Sequence, residues 1–321
     1  MALTQDNRAL KLQTTLGDNA LLLTGFHGRE EMSRLFRFEL QMISDDNAIN
    51  PKDLVGQNVT FGIQMQEDFR WFNGFISGFI AGDEDDEERR NYFAEVVPWF
   101  WFLTRTADCR IFQKQNVVTI LETIFDDLGF ADLYDTSQIS GNHPEREYCV
   151  QYRETDFAFA CRLMEEEGIY YYFKHENGKH TMVLADNKGA YQDCLESEVD
   201  FPPTHGPTAV TDHITAWQHQ YQFRTGKWAQ TDYNFKTPST RLMTRVDTVV
   251  DLPGTDAYEV YDYPGVYAES GDGEALTRIR MEEEEAGYDR VDGASTCKSF
   301  APGGKFKIGV HRSRSEQGKS Y

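Results

Sequence analysis

The 321-residue sequence has no cysteine framework: its five cysteines, Cys109, Cys149, Cys161, Cys194 and Cys297, are odd in number, widely separated and never in a C-x-x-C pair. That spacing excludes a disulfide scaffold and a zinc knuckle, and leaves reduced, mostly buried thiols as the expectation. No run approaches the ~20 apolar residues of a membrane span. The N-terminal MALTQDNRALKLQTTLGD has no apolar signal-peptide core. The chain is therefore expected to be cytoplasmic on synthesis, without stable membrane insertion, and to leave the cell, if it does, without a cleaved signal. Basic charge is scarce as well. With 53 acidic against 32 basic residues the formal charge is -21, which repels phosphate backbones and argues against nucleic acid as a partner. G-x-S-x-G elbow, P-loop, dinucleotide fingerprint and H-E-x-x-H are all missing, so nothing calls for a catalytic, cofactor or metal site.

What the sequence has is rings: 22 Phe and 16 Tyr within a 40% hydrophobic fraction. Such a chain folds, and its length fits about two domains. Leu10, Leu12, Thr14 and Leu16 alternate into the Gly17-Asp18-Asn19 turn, and Leu21–Thr24 begins a return. Phe36, Phe38, Leu40 and Met42 share one strand face. Val59, Phe61, Ile63 and Met65 share another, ahead of a polar turn at Glu67-Asp68. The next strand, Phe69 to Ile80, is apolar on both faces and holds Gly74 and Gly78, which suits a tightly coiled barrel. Asp83 to Glu88 reads as a solvated acidic loop. Asn116 caps a helix whose apolar face is Val117, Ile120, Leu121, Ile124, Phe125 and Leu128, stopped by Gly129.

Residues 130–149 read as loop, and the irregular acidic stretch from 187 through 204 as a linker or elbow. Trp217, His219, Tyr221 and Phe223 lie on one strand face. Glu274–Glu285 should be a surface helix with Leu276 and Ile279 as its apolar contact and Arg278/Glu282 and Arg280/Glu284 as pairs. A closing hairpin is expected from Asp289–Phe300 through Pro302-Gly303-Gly304 to Phe306, Ile308 and Val310. Lys305 to Lys319 is locally basic.

Three constellations are weighed for chemistry. His175 and His180 can share a metal, but no third ligand is placed, and two exposed cross-strand histidines is the better reading. Glu165, Glu166, Asp126 and Asp127 offer carboxylates for a cell-wall hydrolase, with no separation assignable. Trp71, Trp99, Trp101, Trp217 and Trp228 offer rings for sugar binding, which requires them exposed.

The chain is organised around Val150–Asp186. Thr155 is an N-cap, Phe157, Cys161 and Met164 give one apolar face, and Gly168 stops the helix. Asn177-Gly178 is a two-residue turn, which sets His175 opposite His180, Phe173 opposite Met182 and Tyr171 opposite Leu184. Glu165, Glu166 and Glu167 fill the last helical turn, where the macrodipole disfavours anions, so a compensating contact outside the helix is expected.

The runs Gln151 to Phe157 and Arg162 to Tyr171, with the GKH and VLAD pieces that follow, resemble VgrG proteins, the spike hubs of type VI secretion, related to the hub of phage tail baseplates. Val97 to Phe112, Asp232 to Phe235 and Tyr261 to Tyr267 resemble the same family. The resemblance implies a mainly β fold with inserted short helices and two related small barrels of tail-hub type. The first barrel is expected in 1–115, a helical insertion in 116–166, and the second barrel in 167–321. It implies a homotrimer that docks on the hexameric Hcp tube, meets baseplate components, and carries the spike tip and effectors through a further C-terminal part. Secretion would use the type VI apparatus. It implies a structural role and no enzyme, with a phage tail hub as the alternative. Arg153, Glu154, Asp156, Phe157, Glu165, Glu166, Glu167 and Gly168 are the family residues, and the glutamate run is the expected charged contact within or between subunits.

Overall fold

The computed structural model describes residues 4–66, 68–86, 88–202 and 212–321. Glu67, Glu87 and 203–211, which include parts of the expected turn, acidic loop and elbow, lie outside the described residues. The fold is mainly β with short helices. Two compact units divide the chain: unit 1 is Met1–Glu165, Ile169–Glu196 and Lys298–Lys305, and unit 2 is Glu166–Gly168, Ser197–Cys297 and Phe306–Tyr321.

Unit 1 opens with β1 (Leu10–Gln13), β2 (Leu22–Arg29), β3 (Arg37–Ser44), β4 (Asn58–Gln64), β5 (Phe69–Glu84) and β6 (Arg90–Val97). They form one antiparallel sheet in the order β1-β4-β5-β6-β3-β2, so β1 pairs with β4 and not with the strand returning beside it. The two edge strands nevertheless approach each other, and the Phe26 ring of β2 meets Phe61 of β4 at 5.0 Å, curling the sheet toward closure. β3 alternates buried and exposed as its sequence demands. β5 is coiled by irregularities after Ile76 and Ala81. At Gly74 a Cβ would lie 2.5 Å from Val96 Cγ1, so glycine lets the strands nest.

A 3-10 helix (Trp99–Arg105) follows, then β7 (Ala107–Phe112), α1 (Val117–Asp127), β8 (Tyr134–Gln138), β9 (Cys149–Thr155), α2 (Asp156–Glu166), β10 (Tyr170–Glu176) and β11 (Lys179–Ala185). Asn116 caps α1 by accepting from Thr119 N, and Gly129 ends it at φ 83°. The β10–β11 register pairs His175 with His180, Phe173 with Met182 and Tyr171 with Leu184, as the turn dictates. β8 is a strand where the sequence reads as loop: it lies parallel to β11 at the edge of its sheet, where polar residues suffice. One core runs from Leu12 to Leu184, all of it in unit 1.

β12 (Gln192–Val199) is a strand where the sequence reads as an irregular linker, because its partner lies far along the chain. Beyond it unit 2 holds β13 (Ile214–Tyr221), which stops short of Phe223, then β14 (Lys227–Gln230), β15 (Thr244–Asp247), β16 (Glu259–Asp262), α3 (Ser270–Ala286) and β17 (Asp289–Ser295). The last strand, β18 (Gly304–Ile308), pairs with β12, and β17 pairs with β13. The expected closing hairpin is therefore absent. Residues 298–305 belong to unit 1, so the chain leaves unit 2 between the two strands and cannot join them in a tight turn. On α3 the buried residues are Gly273, Thr277 and Met281, while Leu276 and Ile279 are only half-buried. Arg280 pairs with Glu283 at 3.1 Å, one residue short of its expected partner.

Candidate functional site

The residues around α2 that the sequence singles out form a structural joint. β9 pairs with β7 across a bulge that leaves Arg153 unpaired at φ 53°, with its guanidinium 5.4 Å from the Tyr152 ring. The bulge turns the strand so that Gln151 and Asp156 both face inward and are buried. Asp156 accepts from Arg110 Nη2 at 2.5 Å and Gln151 Nε2 at 2.7 Å, while Arg110 Nε donates to Gln151 Oε1 at 3.0 Å. A carboxylate in the first helical turn also favours the macrodipole. Glu154 accepts from Arg162 Nη2 at 2.6 Å, and the Phe157 ring meets Phe100 at 5.0 Å. Thr155 Oγ1 accepts from Ala158 N at 3.1 Å, confirming the cap. Glu165 is exposed, Glu166 half-buried and Glu167 buried. Gly168, at φ 69°, leaves no room for a Cβ, which would sit 2.9 Å from Ile279 Cγ2.

The histidine pair is the main correction, because His180 is buried and His175 half-buried with its side chain nearly covered, and neither is exposed. They share the face of Tyr171 and Phe173, and the register that turns those rings inward turns the imidazoles inward too. His180 Nε2 accepts the Trp99 amide at 3.0 Å, so its proton sits on Nδ1 and goes to Asn73 Oδ1 at 2.8 Å. Asn73 Nδ2 donates to Thr60 Oγ1 at 2.8 Å and to Asn58 Oδ1 at 2.7 Å. His175 Nδ1 accepts the Asn73 amide at 3.2 Å, and Nε2 donates to Glu30 Oε1 at 3.1 Å. Arg70 Nη2 closes on Glu30 at 3.2 Å. Burial, with His175 adding to it, holds the His180 pKa well below its ordinary value. This network welds β4, β5, the β10–β11 hairpin and the 3-10 helix together. Asn73 and Glu30 carried no motif, and only their contacts reveal them.

Unit 2 has its own charged joint. His219 Nε2 contacts Asp289, and Nδ1 lies 3.1 Å from Glu316 Oε2. Each carboxylate only accepts, so an imidazolium is the state that satisfies both. Burial opposes that charge, but the hydrogen bonds of Asp289 and Glu316 outweigh it and raise the pKa. Tyr321, His219, Trp217 and Ser315 hold Glu316 at about 2.

Among the described residues no three metal-ligating side chains converge. Asp126 accepts from Tyr134 at 2.9 Å, and Asp127 lies 3.6 Å from Arg110. Trp99 is fully buried, and the other four tryptophans are partly covered. Of the thiols, only Cys149 is buried, and Cys109 is exposed, against the expectation of mostly buried cysteines.

The family description "phage tail baseplate hub (GPD)" matches residues 29–321. Type VI secretion system spike protein VgrG1b of Pseudomonas aeruginosa is 37% identical over 324 residues, covering 100% of this chain and 43% of the relative. VgrG1a of the same organism is 37% identical over 322 residues, covering 99% of this chain and 49% of the relative. The chain thus spans less than half the length of either. Among solved structures, the E. coli c3393 protein, described as a type VI secretion component similar to the T4 tail proteins gp27 and gp5, aligns with TM-score 0.66 and 20% identity over 92% of this chain and 68% of that one. At that identity the likeness is one of fold.

Proposed function

The chain belongs to the phage tail baseplate hub family, and we propose that it forms the hub of a type VI secretion spike, a homotrimeric ring that docks on the hexameric Hcp tube. The observation that carries this reading is the 37% identity to the spike protein VgrG1b, which runs the whole length of the chain. The hub would also meet other baseplate components and support a puncturing tip and effectors. It acts as a scaffold and not as an enzyme: its distinctive residues are occupied in joints, such as Asp156 with Arg110 and His180 with Asn73. In this reading the first barrel draws on 1–115, the second on 167–321, and 116–166 is inserted between them. The protein is made in the cytoplasm and exported by the type VI apparatus itself.

Deleting the gene from its host should abolish export of the tube protein, and unchanged export would overturn the reading. The purified chain should scatter light at three times its 37.0 kDa. The match to the phage tail baseplate hub description over residues 29–321 favours a phage hub as the second reading. In that case export is unaffected and tail assembly fails.

A further inference from the structure

Two stretches of unit 2 that carry the family pattern, Asp232–Phe235 and Tyr261–Tyr267, lie far apart in sequence and are fastened to each other. Gly265 N donates to Thr231 O at 2.9 Å, Val266 N to Asp232 Oδ2 at 2.6 Å, and Asn234 Nδ2 to Ala268 O at 3.1 Å. Beneath them the buried Tyr267 hydroxyl donates to Leu242 O at 2.6 Å and lies 3.0 Å from Gln230 O and 3.1 Å from Thr244 Oγ1. Gly265 and Gly273 flank its ring, and a Cβ on either would fall 2.3 Å from a ring carbon. A large share of polar bonding is thus devoted to fixing this loop pair.

What it fixes is apolar and uncovered. Tyr233, Phe235, Tyr261, Tyr263 and Val266 are each more than half exposed. Val266 also holds φ 60°, a conformation that a β-branched residue adopts only under constraint from its surroundings. Rigid, exposed rings on a hydrogen-bonded base have the composition of a binding hot spot, pre-organised so that little ordering cost remains.

The rim selects the occupant. Glu259, Asp262 and Glu269 are exposed around the crown, with Glu259 paired to Arg245 at 3.3 Å and Lys236 the cation next to Phe235. In a chain of net charge -21, the complementary surface is also in unit 2. Residues 306–321 carry exposed Lys307, Arg312, Arg314 and Lys319, and their one acid, Glu316, is buried and engaged. A two-fold contact centred on the crown would set acidic rim against acidic rim. A head-to-tail contact sets acid against base, and head-to-tail contacts are those that close rings.

We propose that the crown of Tyr233, Phe235, Tyr261, Tyr263 and Val266 is a subunit interface, and that its occupant is the basic 306–321 face of a second copy of this chain. The proposal rests on the ring reading above and adds to it which two surfaces meet.

The test is absolute mass by light scattering across a dilution series of the purified chain, with circular dichroism confirming that each variant is folded. Phe235→Ser with Tyr263→Ser should weaken self-association by about tenfold or more. Lys307→Glu with Arg314→Glu should weaken it as well, as should Asp262→Lys with Glu269→Lys. The chain carrying both charge swaps should recover much of the loss. A wild-type chain that stays monomeric or stops at a dimer overturns the proposal, as do ring variants that associate within twofold of wild type. Unchanged association with intact dependence of tube export on the gene sinks only this interface, whereas export independent of the gene sinks the hub reading.

Discussion

Unit 1 gathers most of its aromatic rings into one cluster running from Leu12 to Leu184, leaving Tyr148 and Tyr152 more than half exposed, whereas unit 2 leaves Tyr221, Phe223, Tyr233, Phe235, Tyr258, Tyr261 and Tyr263 more than half exposed. Their histidines differ in the same sense: His180 is buried and neutral against Asn73, and His219 is charged between two carboxylates. Unit 1 is held by removing apolar surface from water, a force that needs no partner. Unit 2 is held more by polar joints, and its uncovered rings are a surface area that association would bury. The two halves of one chain thus divide self-sufficiency from stickiness.

The largest expected effect is in the unit 1 core. Trp99 is fully buried, touching Phe100 at 5.6 Å and Phe125 at 5.1 Å, so Trp99→Ala should cost about 3–5 kcal/mol in urea unfolding. A loss no larger than that of a surface residue would erase the contrast between the units. Next comes the buried network. Asn73→Leu keeps volume but leaves His180 Nδ1–H and Asn58 without their partner, at about 1–3 kcal/mol. If Asn73→Leu is neutral, the network is ornament on an apolar core.

The pH dependences should run in opposite directions. The depressed pKa of His180 means that its contribution is complete above about pH 6.5 and falls as acid protonates the unfolded chain first. The raised pKa of His219 means that its contribution is complete below about 6.5 and is lost as pH rises through the folded value. Glu316, held at about 2, contributes fully above its ordinary 4.5 and loses that contribution toward about 2. Between those limits unit 2 keeps both joints while unit 1 weakens. Hydrogen exchange at about pH 5 and about pH 8 should show β10–β11 amides less protected in acid and β13–β17 amides more protected. Parallel changes in both pairs would remove the distinction.

The elements that were legible were those whose determinants are local. Asn177-Gly178 sets a register that no distant contact alters, and Asn116 and Gly129 bound α1 by satisfying its own ends. β8 was not legible because its partner, β11, lies far along the chain and its edge position asks for no apolar pattern. The β17–β18 hairpin failed for a related reason, since a plausible turn at Pro302-Gly303-Gly304 says nothing of which unit the turn lies in. The histidines were legible in principle. Proximity to a turn suggests exposure, but their shared face with Phe173 decides the matter. In β13 the same logic has a limit: Tyr221 keeps the spacing of a core face yet is exposed, because periodicity marks a face and not what covers it.

The smallest effect tests the glutamates where the chain passes from one kind of construction to the other. Glu165 closes α2 at an exposed position in unit 1, while Glu166 and Glu167 belong to unit 2, with Glu167 buried. An exposed carboxylate in the last turn opposes the macrodipole, so Glu165→Gln should stabilise the isolated chain by roughly 0.3–1 kcal/mol. If Glu165 is instead part of a charged contact between subunits, the same substitution should raise the melting temperature of dilute protein while lowering the mass seen at high concentration. Those two readouts separate a helix-end penalty from an interface, because only an interface makes the sign of the effect depend on protein concentration. A change of neither would leave the anion at position 165 without a role in stability or assembly, and would shift the compensating contact to Glu166 and Glu167.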